Sequence, residues 1–253
     1  MAEGAPLPRV RQIAGIAAIE AALCAREDVR LLLVADDARS GAMERLVEVA
    51  GACGVPVRKA TRNVLARLSL PRPAEDALAL AGRDPEAALD ASLARGGALW
   101  LLVGVAYPGN VGMVIRTAEV SGADAIAIDG NFDHEGKRAA LRASMRADKF
   151  MPVLWQGAAE VLERARVAGH RAIALDEAGA RAHWDADLAG ARVFVVGGEN
   201  GGIPPDVLAR CDERVRVPMA GFIPCYNLQA AVSAVAVERL RQLARSPRPR
   251  AVS

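Results

Sequence analysis

Six short apolar segments recur after residue 98, and most of the stretches between them have helical character. The segments are "ALWLLVGV", "ADAIAID", "MPVLWQ", "HRAIALDE", "ARVFVVGG" and "ERVRVPM". Strands that alternate with helices in this way usually form a mostly parallel sheet with helices on both faces. We therefore predict an α/β fold in which ligands bind at the carboxyl ends of the strands.

The residues before this series predict a smaller α/β unit. "VRLLLVAD" and "GVPVRKA" are typical of strands, and apolar residues at helical spacing predict two helices, one with Ile13, Ile16, Ile19 and Leu23 and one with Met43, Leu46, Val47 and Ala50. From Ser69 to Gly97 the pattern weakens, which indicates a linker that is partly helical around "AEDALALAG". The predicted domains are residues 1–70 and 98–245, joined by a linker over 71–97 and followed by a disordered tail over 246–253.

Composition argues against several classes of protein. The chain has 253 residues, 52% of them hydrophobic, which is ample for a buried core. Its apolar stretches are far shorter than the ~18 residues of a membrane span, and the first residues lack the apolar run of a signal peptide. We therefore expect a soluble cytoplasmic protein with no membrane partner.

Cysteine, histidine and aromatic residues limit the chemistry further. The four cysteines and three histidines show no metal-ligand spacing, so neither a metal site nor a disulfide framework is expected. The net charge of +2 is too small to establish a nucleic-acid partner. Aromatic residues make up only 4% of the chain, so base stacking on a broad aromatic platform is not expected.

The stretch "FVVGGENGGIPP", from Phe194 to Pro205, is a strand that continues into a glycine-rich loop. A dinucleotide fingerprint needs glycine at the third position of the motif, where this loop has Glu199 after a start at Gly197. A P-loop needs Gly-Lys-Ser/Thr at its end, and this loop has none. By itself, the loop is equally compatible with an ordinary turn between a strand and a helix.

Two further segments carry polar residues where a strand or loop passes into a helix. "YPGNVGMVIRTAEVSGADAI" places Asn110 where it could cap a helix and Arg116 inside that helix. "VPMAGFIPCYNLQAAVSAVAVERLRQ" combines a strand end, a loop and a long helix rich in Ala and Val. Each is also compatible with a plain structural role, as a capped helix with a solvated arginine or as a core helix.

Together and in this order, the three segments resemble the SpoU/TrmH branch of the SPOUT methyltransferases. The matching motifs are N-x-G-x-x-x-R-T-A from Asn110, G-x-E-x-x-G-[IL] from Gly197, and [IV]-P-M-x-G from Val217 with an Asn-containing helix start at Asn227. The resemblance covers residues 98 to about 245 and implies a SPOUT domain with a parallel sheet and a deep trefoil knot. The first unit resembles the L30e-like substrate-binding domain that precedes this domain in many members.

The resemblance implies an enzyme that transfers a methyl group from S-adenosylmethionine to a ribose 2′-hydroxyl of ribosomal or transfer RNA, without a metal. The implied cofactor-binding positions are Gly197, Gly198, Val217, Met219, Tyr226 and Leu228, with the two glycines giving the ligand close access to the main chain. The implied catalytic positions are Arg116, Glu199, Asn227 and Asn110. A guanidinium is a poor base, so Arg116 is expected to anchor phosphate and stabilise negative charge.

The chain departs from the family pattern in three places. Cys225 and Tyr226 replace the usual Ser and Leu, Tyr107 replaces an Asp, and "RASMRADKFMPV" replaces an Ala-Gly-Ala loop. Methylation of a base nitrogen therefore stays open as an alternative, as does a catalytically silent RNA-binding protein. A nicotinamide-dependent oxidoreductase is a more distant alternative because the glycine spacing does not fit.

Two further surfaces suggest partners. If "KRAALRASMRADK" is a helix, Arg138, Arg142 and Arg146 share one face, which we interpret as RNA-binding; a solvated face is equally compatible. The last helix carries Val232, Val235 and Leu240 among small residues. Such helices form homodimers in the family, so we expect a homodimer.

Overall fold

The computed structural model describes residues 11–69, 73–82, 84–199, 201–223 and 225–245. The chain divides between Asp84 and Pro85 into two compact units. Each unit has its own sheet. The tail predicted to be disordered, residues 246–253, lies outside the described residues.

The first unit contains four strands and three helices. In chain order they are β1 (Arg11–Ala14), α1 (Ile16–Cys24), β2 (Val29–Ala35), α2 (Gly41–Ala52), β3 (Val57–Ala60), α3 (Arg62–Leu68) and β4 (Ala77–Ala81). The strand order is β1-β4-β2-β3, and β2 pairs in parallel with β3 while β4 pairs antiparallel with both of its neighbours. The first unit is therefore a small α/β unit with a mixed sheet.

The structure corrects two predictions in this part of the chain. The linker predicted over 71–97 instead contains β4, a fully buried central strand, and a short helix, α4 (Leu89–Leu93). Alanine favours helices, and a strand buried on both faces lacks polar alternation, so its sequence did not indicate a strand. Ile13 belongs to β1 and not to the first helix, because Gly15, at a φ of 88°, separates the two elements.

The second unit contains a sheet of seven strands, all of them paired in parallel. After α4 its elements are β5 (Ala98–Val103), α5 (Pro108–Val120), β6 (Ala125–Asp129), α6 (His134–Ala143), β7 (Val153–Leu154), α7 (Ala158–Val167), β8 (Arg171–Leu175), β9 (Arg181–Ala182), β10 (Arg192–Gly197), α8 (Pro205–Leu208), β11 (Glu213–Arg216) and α9 (Leu228–Arg245). The sheet order is β7-β6-β5-β10-β8-β11-β9. All six predicted strands are confirmed, and the two-residue strand β9 was not predicted.

Both faces of this sheet are covered, as the strand pattern predicts. Successive residues of β5 point to opposite faces, so Trp100 packs with the apolar side chains of α5 and α9 while Leu101 packs with those of α7. Val232 and Val235 of α9 lie in the first of these two cores. The interpretation of these two valines as a dimer surface is therefore wrong, because they are buried within their own chain.

The helices that follow the two central strands leave the sheet on opposite faces. Helix α5 after β5 packs on one face, while the loop and short helix α8 after β10 pack on the other. Loops that leave adjacent parallel strands in this way diverge and open a crevice at the carboxyl edge of the sheet. No helix in the described ranges has both the length and the apolar character needed to cross a membrane.

Helices α5 and α6 approach closely at Gly112. A Cβ added there would overlap the side chain of Ala143 and the carbonyl oxygen of Ala140. Gly109, three residues earlier on the same helix, has nothing within 4 Å of such a Cβ. The two glycines thus differ in packing within one helix.

We predict that Gly112→Ala lowers the free energy of unfolding by about 1–3 kcal/mol, because an added methyl group must push two helices apart. Gly109→Ala is the matched control and should be neutral or stabilise by up to about 1 kcal/mol, since alanine favours the helix. Denaturant titration of both variants measures the difference. Equal stability of the two variants would contradict the close packing at Gly112.

Candidate functional site

A cavity of about 570 Å³ opens at the carboxyl ends of β8, β10 and β11. Its walls are the loop after β8, the glycine-rich loop after β10, the loop between β11 and α9, and the first turn of α9. This is the edge of the sheet at which the strand pattern predicts a ligand. The size is typical of a site for a small molecule, for which ~300–1,000 Å³ is usual.

The six residues implied as cofactor-binding all line this cavity. They come from two segments, the glycine-rich loop and the stretch from the end of β11 to the start of α9, and they are Gly197, Gly198, Val217, Met219, Tyr226 and Leu228. Leu175 and Ala231 add further apolar surface. The fold thus brings together the positions that the motifs single out, and ligand binding at them stays a prediction.

The glycine-rich loop packs tightly against the protein's own backbone. A Cβ at Gly197 would overlap Gly202 and Ile203, and a Cβ at Gly198 would overlap the carbonyl group of Gly104. The loop is closed by a bridge between Gly198 and Gly202, the latter at a φ of 64°. Internal packing therefore already requires glycine at both positions, so close access for a ligand, which the family resemblance implies, is not needed to explain them.

The charged side chains that line the cavity are all acidic. Asp176, Glu177 and Glu199 line it, and no lysine or arginine is among its described lining residues. Carboxylates attract a cationic ligand and repel one that carries several phosphates. A nicotinamide dinucleotide, with its pyrophosphate, therefore fits poorly.

A polar cluster of Asn110, Glu199 and Asn227 joins the three sequence motifs beside the cavity. The Asn110 amide donates a hydrogen bond to a Glu199 carboxylate oxygen, across 89 positions of sequence. Asn227 Nδ2 donates to Asn110 Oδ1 at 3.4 Å, and Asn227 Oδ1 accepts from the backbone N–H of Gln229 at 2.9 Å. The order of hydrogen bonds leaves Glu199, an acceptor, at one end of the cluster.

Asn110 does not cap a helix, contrary to the sequence expectation. Helix α5 begins at Pro108, with Tyr107 as its N-cap and no side-chain capping bond. Proline is well suited to the first helical position, so the helix starts before Asn110. The Asn110 side chain is consequently free to bond to Glu199 and Asn227.

Arg116 is exposed on α5 and is not among the residues that line the cavity. In the described part of the chain no hydrogen bond or salt bridge is recorded for its guanidinium. The neighbouring Thr117 accepts a hydrogen bond from Gln229 Nε2 of α9 at 3.3 Å. The guanidinium is therefore available for a ligand that approaches from outside the chain.

The basic helix is shorter than the sequence suggests. Arg138 and Arg142 are exposed on α6, which ends at Ala143. Met145 and Arg146 have φ values of 53° and 76°, so Arg146 is outside the helix and the predicted three-arginine face is wrong. The Ser144 hydroxyl caps this end by bonding to the carbonyl of Leu141 and the carboxylate of Asp148.

Of the residues that depart from the family pattern, Cys225 and Tyr226 line the cavity. The Tyr226 hydroxyl donates to the carbonyl of Pro218 at 3.2 Å and so ties the two ends of the loop together. The Cys225 thiol is exposed, whereas burial raises the pKa of the Cys211 thiol to about 11. Among the described residues, no group of histidine, cysteine or acidic side chains is arranged to hold a metal ion.

Sequence reasoning missed Asp176 and Glu177, which follow β8 directly. The signal was present, because "IALDE" ends a predicted strand with two carboxylates at the edge where ligands bind. The motifs alone did not include them.

Residues 98–237 match the model of the SpoU rRNA Methylase family. The chain belongs to this family. It is 30% identical over 145 residues to the 23S rRNA (guanosine-2′-O-)-methyltransferase RlmB of Burkholderia sp, a match that covers 57% of this chain and 59% of that protein. The chain thus spans about three fifths of the length of this relative.

Other family members match over more of the chain. A putative TrmH family tRNA/rRNA methyltransferase of Staphylococcus saprophyticus is 23% identical over 237 residues, which is 91% of this chain and 95% of that protein. The SpoU methyltransferase AviRb of Streptomyces viridochromogenes, crystallised in complex with AdoMet, has a TM-score of 0.57 at 23% identity and covers 94% of this chain and 92% of its own. This likeness confirms the α/β fold with a parallel sheet.

We predict that Asn110→Ala lowers the free energy of unfolding by less than about 1 kcal/mol, because its side chain bonds at the surface, where water replaces the lost partner. Asn227→Ala should cost about 0.5–2 kcal/mol, because Asn227 directly precedes α9 and its Oδ1 caps the helix by accepting from the backbone N–H of Gln229. Denaturant titration measures the change. A loss above 2 kcal/mol would assign the cluster to the support of the fold.

Proposed function

We propose that the chain is an S-adenosylmethionine-dependent RNA methyltransferase that acts on a ribose 2′-hydroxyl of ribosomal or transfer RNA. The observation that carries the proposal is the meeting of three family motifs at one acidic cavity, through the cluster of Asn110, Glu199 and Asn227. A solved structure whose description concerns the 2-OH methylation of C/U34 on tRNA supports the ribose as acceptor. It is 29% identical to this chain, has a TM-score of 0.51, and covers 58% of this chain and 89% of its own. Either RNA would place the reaction in the cytoplasm.

The cavity suits S-adenosylmethionine in both shape and charge. When bound, this cofactor supplies an electrophilic methyl group on a positively charged sulfonium. The side chains of Val217, Leu228 and Tyr226 offer apolar surface for its adenine, and Asp176 and Glu177 offer carboxylates for its positive charges. The glycine-rich loop adds backbone groups. The pairing of an apolar wall with carboxylates is the fit expected for a flat base joined to a cationic chain.

The residues of the chain position the acceptor and handle charge. The ribose hydroxyl loses its proton as its oxygen attacks, so nearby acceptors and cations determine the rate. Glu199 is a hydrogen-bond acceptor that is held in place by Asn110, and Asn227 holds Asn110 in turn. Arg116 anchors the neighbouring phosphate and stabilises the developing negative charge. Positioning in a site without water can contribute ~7–11 kcal/mol.

A homodimer explains why Arg116 is exposed outside the cavity. Helices α5 and α9 pack side by side, and Met113, Val120 and Val237 on them remain exposed. We assign this surface, which we call the α5–α9 face, to a second copy. Contact there would let Arg116 of one subunit act on RNA bound near the cavity of the other.

The knot and the role of the first unit belong to the same proposal. Family membership supports a deep trefoil knot in the C-terminal part of the second unit, an exception to the rule that chains do not thread loops. It also supports an L30e-like first unit that grips folded RNA. In that unit Arg62 pairs with Asp37 and Asp76, so the exposed Lys59 and Arg67 are better candidates for phosphate contact.

We predict that the chain transfers labelled methyl from S-adenosylmethionine to unmodified ribosomal or transfer RNA, and that nuclease digestion releases a 2′-O-methylnucleoside. Arg116→Ala should lower the single-turnover rate by about 10²–10³, the effect of removing a donor to a developing negative charge. Arg166→Ala is the matched control, because Arg166 is exposed on α7 and pairs with Glu163. It should leave the rate unchanged.

Each alternative has a distinct outcome in this assay. A methylated base in place of the ribose product would move the assignment to a base nitrogen as acceptor. No transfer to either RNA pool, with cofactor binding intact, would favour a silent RNA-binding protein.

We predict that S-adenosylmethionine protects Cys225 from alkylation. Because this exposed thiol lines the cavity, its labelling should slow about tenfold at a ligand concentration ten times the Kd. Cys24 and Cys53 are exposed in the other unit and serve as internal controls that should react unchanged. Mass spectrometry of the labelled peptides measures all three. Equal labelling of Cys225 with and without ligand would place the cofactor elsewhere.

A further inference from the structure

Exposed aromatic rings are concentrated around the candidate site. The chain contains only three Trp, two Tyr and four Phe. Four of these residues are exposed, namely Tyr107, Trp184, Phe222 and Tyr226. All but Trp184 belong to the segments that carry the polar cluster, so the few rings not used in the core lie mostly beside one site.

Phe222 is the most exposed of these rings. It lies in the loop between β11 and α9, whose two ends line the cavity through Met219 and through Cys225 and Tyr226. Phe222 itself is fully exposed and Ile223 is 75% exposed, and neither lines the cavity. The loop thus carries an apolar tip, Phe222 and Ile223, beside the cavity.

Tyr107 lies on the segment that supplies Asn110 to the polar cluster. It precedes α5 and lies three residues before Asn110. The preceding Gly104 touches Gly198, so this loop lies directly against the glycine-rich loop. The Tyr107 side chain is 54% exposed. The two rings therefore belong to the two segments that supply Asn110 and Asn227 to the polar cluster.

We propose that Phe222, assisted by Tyr107, stacks on the nucleobase of the nucleotide to be methylated. The inference rests on the proposed RNA methyl transfer and narrows its substrate to a nucleotide whose base is unpaired. In an RNA duplex the base faces are covered by neighbouring pairs, and only loops, bulges and extruded nucleotides can offer a face to an aromatic ring. Stacking does not distinguish one base from another, so contacts with the surrounding RNA must select which nucleotide is methylated.

A nucleobase fits this tip better than a second copy of the chain. Two side chains are far too few for a stable protein interface, which buries about 800 Å² on each partner. The α5–α9 face is the larger surface. The loop that carries the tip lines the cavity at both of its ends, through Met219 and through Cys225 and Tyr226, so a base stacked on the tip lies beside the site.

The test compares two RNA probes of equal charge. One is a labelled octamer of adenosine, and the other is an octamer of abasic ribose phosphates. Fluorescence anisotropy of the full chain, with S-adenosylhomocysteine saturating, measures the Kd for each probe and keeps adenine out of the cofactor cavity. The wild-type chain should bind the adenosine octamer about 5- to 150-fold more tightly, the range expected for one stacked base.

Phe222→Ala should bring this ratio close to one, and Phe222→Trp should preserve it. Trp184→Ala removes an exposed ring that lies outside the three motifs and does not line the cavity, and it should leave the ratio unchanged. Arg142→Ala should weaken both probes equally. In the methyl transfer assay, Phe222→Ala should raise the KM for RNA and leave the Kd for S-adenosylmethionine as it was.

A ratio that is equal in the wild type and Phe222→Ala overturns the proposal. Dissociation of a dimer by Phe222→Ala with the ratio unchanged, seen by sedimentation, also overturns it and assigns the tip to a second copy. The proposed base stacking and the proposed methyl transfer are distinguished if the wild-type chain prefers the adenosine octamer but transfers no methyl group to any RNA. Base stacking then stands, and the proposed enzyme activity fails.

Discussion

The parallel pairing of β5 with β10 is the contact on which the site depends. It joins residues 98–103 to 192–197, with Trp100 packed on Phe194 at a ring-centroid distance of 4.8 Å. Because parallel strands end at the same edge, the pairing sets the loop before α5 against the glycine-rich loop. Asn110 can then reach Glu199. Loss of this register would separate the motifs even if every local element formed.

Tight backbone packing at this edge determines what the cavity can hold. Gly198 allows the loops after β5 and β10 to touch, and Gly197 allows the glycine-rich loop to fold back on itself at Gly202 and Ile203. The ligand space lies on the other side, towards β8 and β11. The carboxylates of Asp176, Glu177 and Glu199 make that space acidic. The positively charged side chains of Arg116, Arg138 and Arg142 are exposed on α5 and α6, outside the cavity. An acidic cavity beside exposed arginines suits a cationic cofactor and a polyanionic substrate.

Much of the fold was predictable because buried strands leave a clear local signal. All six strands predicted after residue 98 are present, since each combines an apolar run with flanking turn residues. Each wrong prediction has its own physical cause. "ALALA" forms the buried strand β4 although alanine favours helices, and Ile13 fits a helical spacing although Gly15 ends its strand. Arg146 continues a helical pattern, but the positive φ values of Met145 and Arg146 end the helix before it.

Local patterns were enough to predict the six strands after residue 98, the three motifs and the family they indicate, because these depend on residues close together in the chain. Only the tertiary structure decided which of those residues meet. It placed Asn110 on Glu199 instead of at a helix cap, buried Val232 and Val235 in the core, and added Asp176 and Glu177 to the cavity. These outcomes depend on strand order and helix packing, which bring together groups distant in the chain, such as Asn110 and Glu199, 89 positions apart.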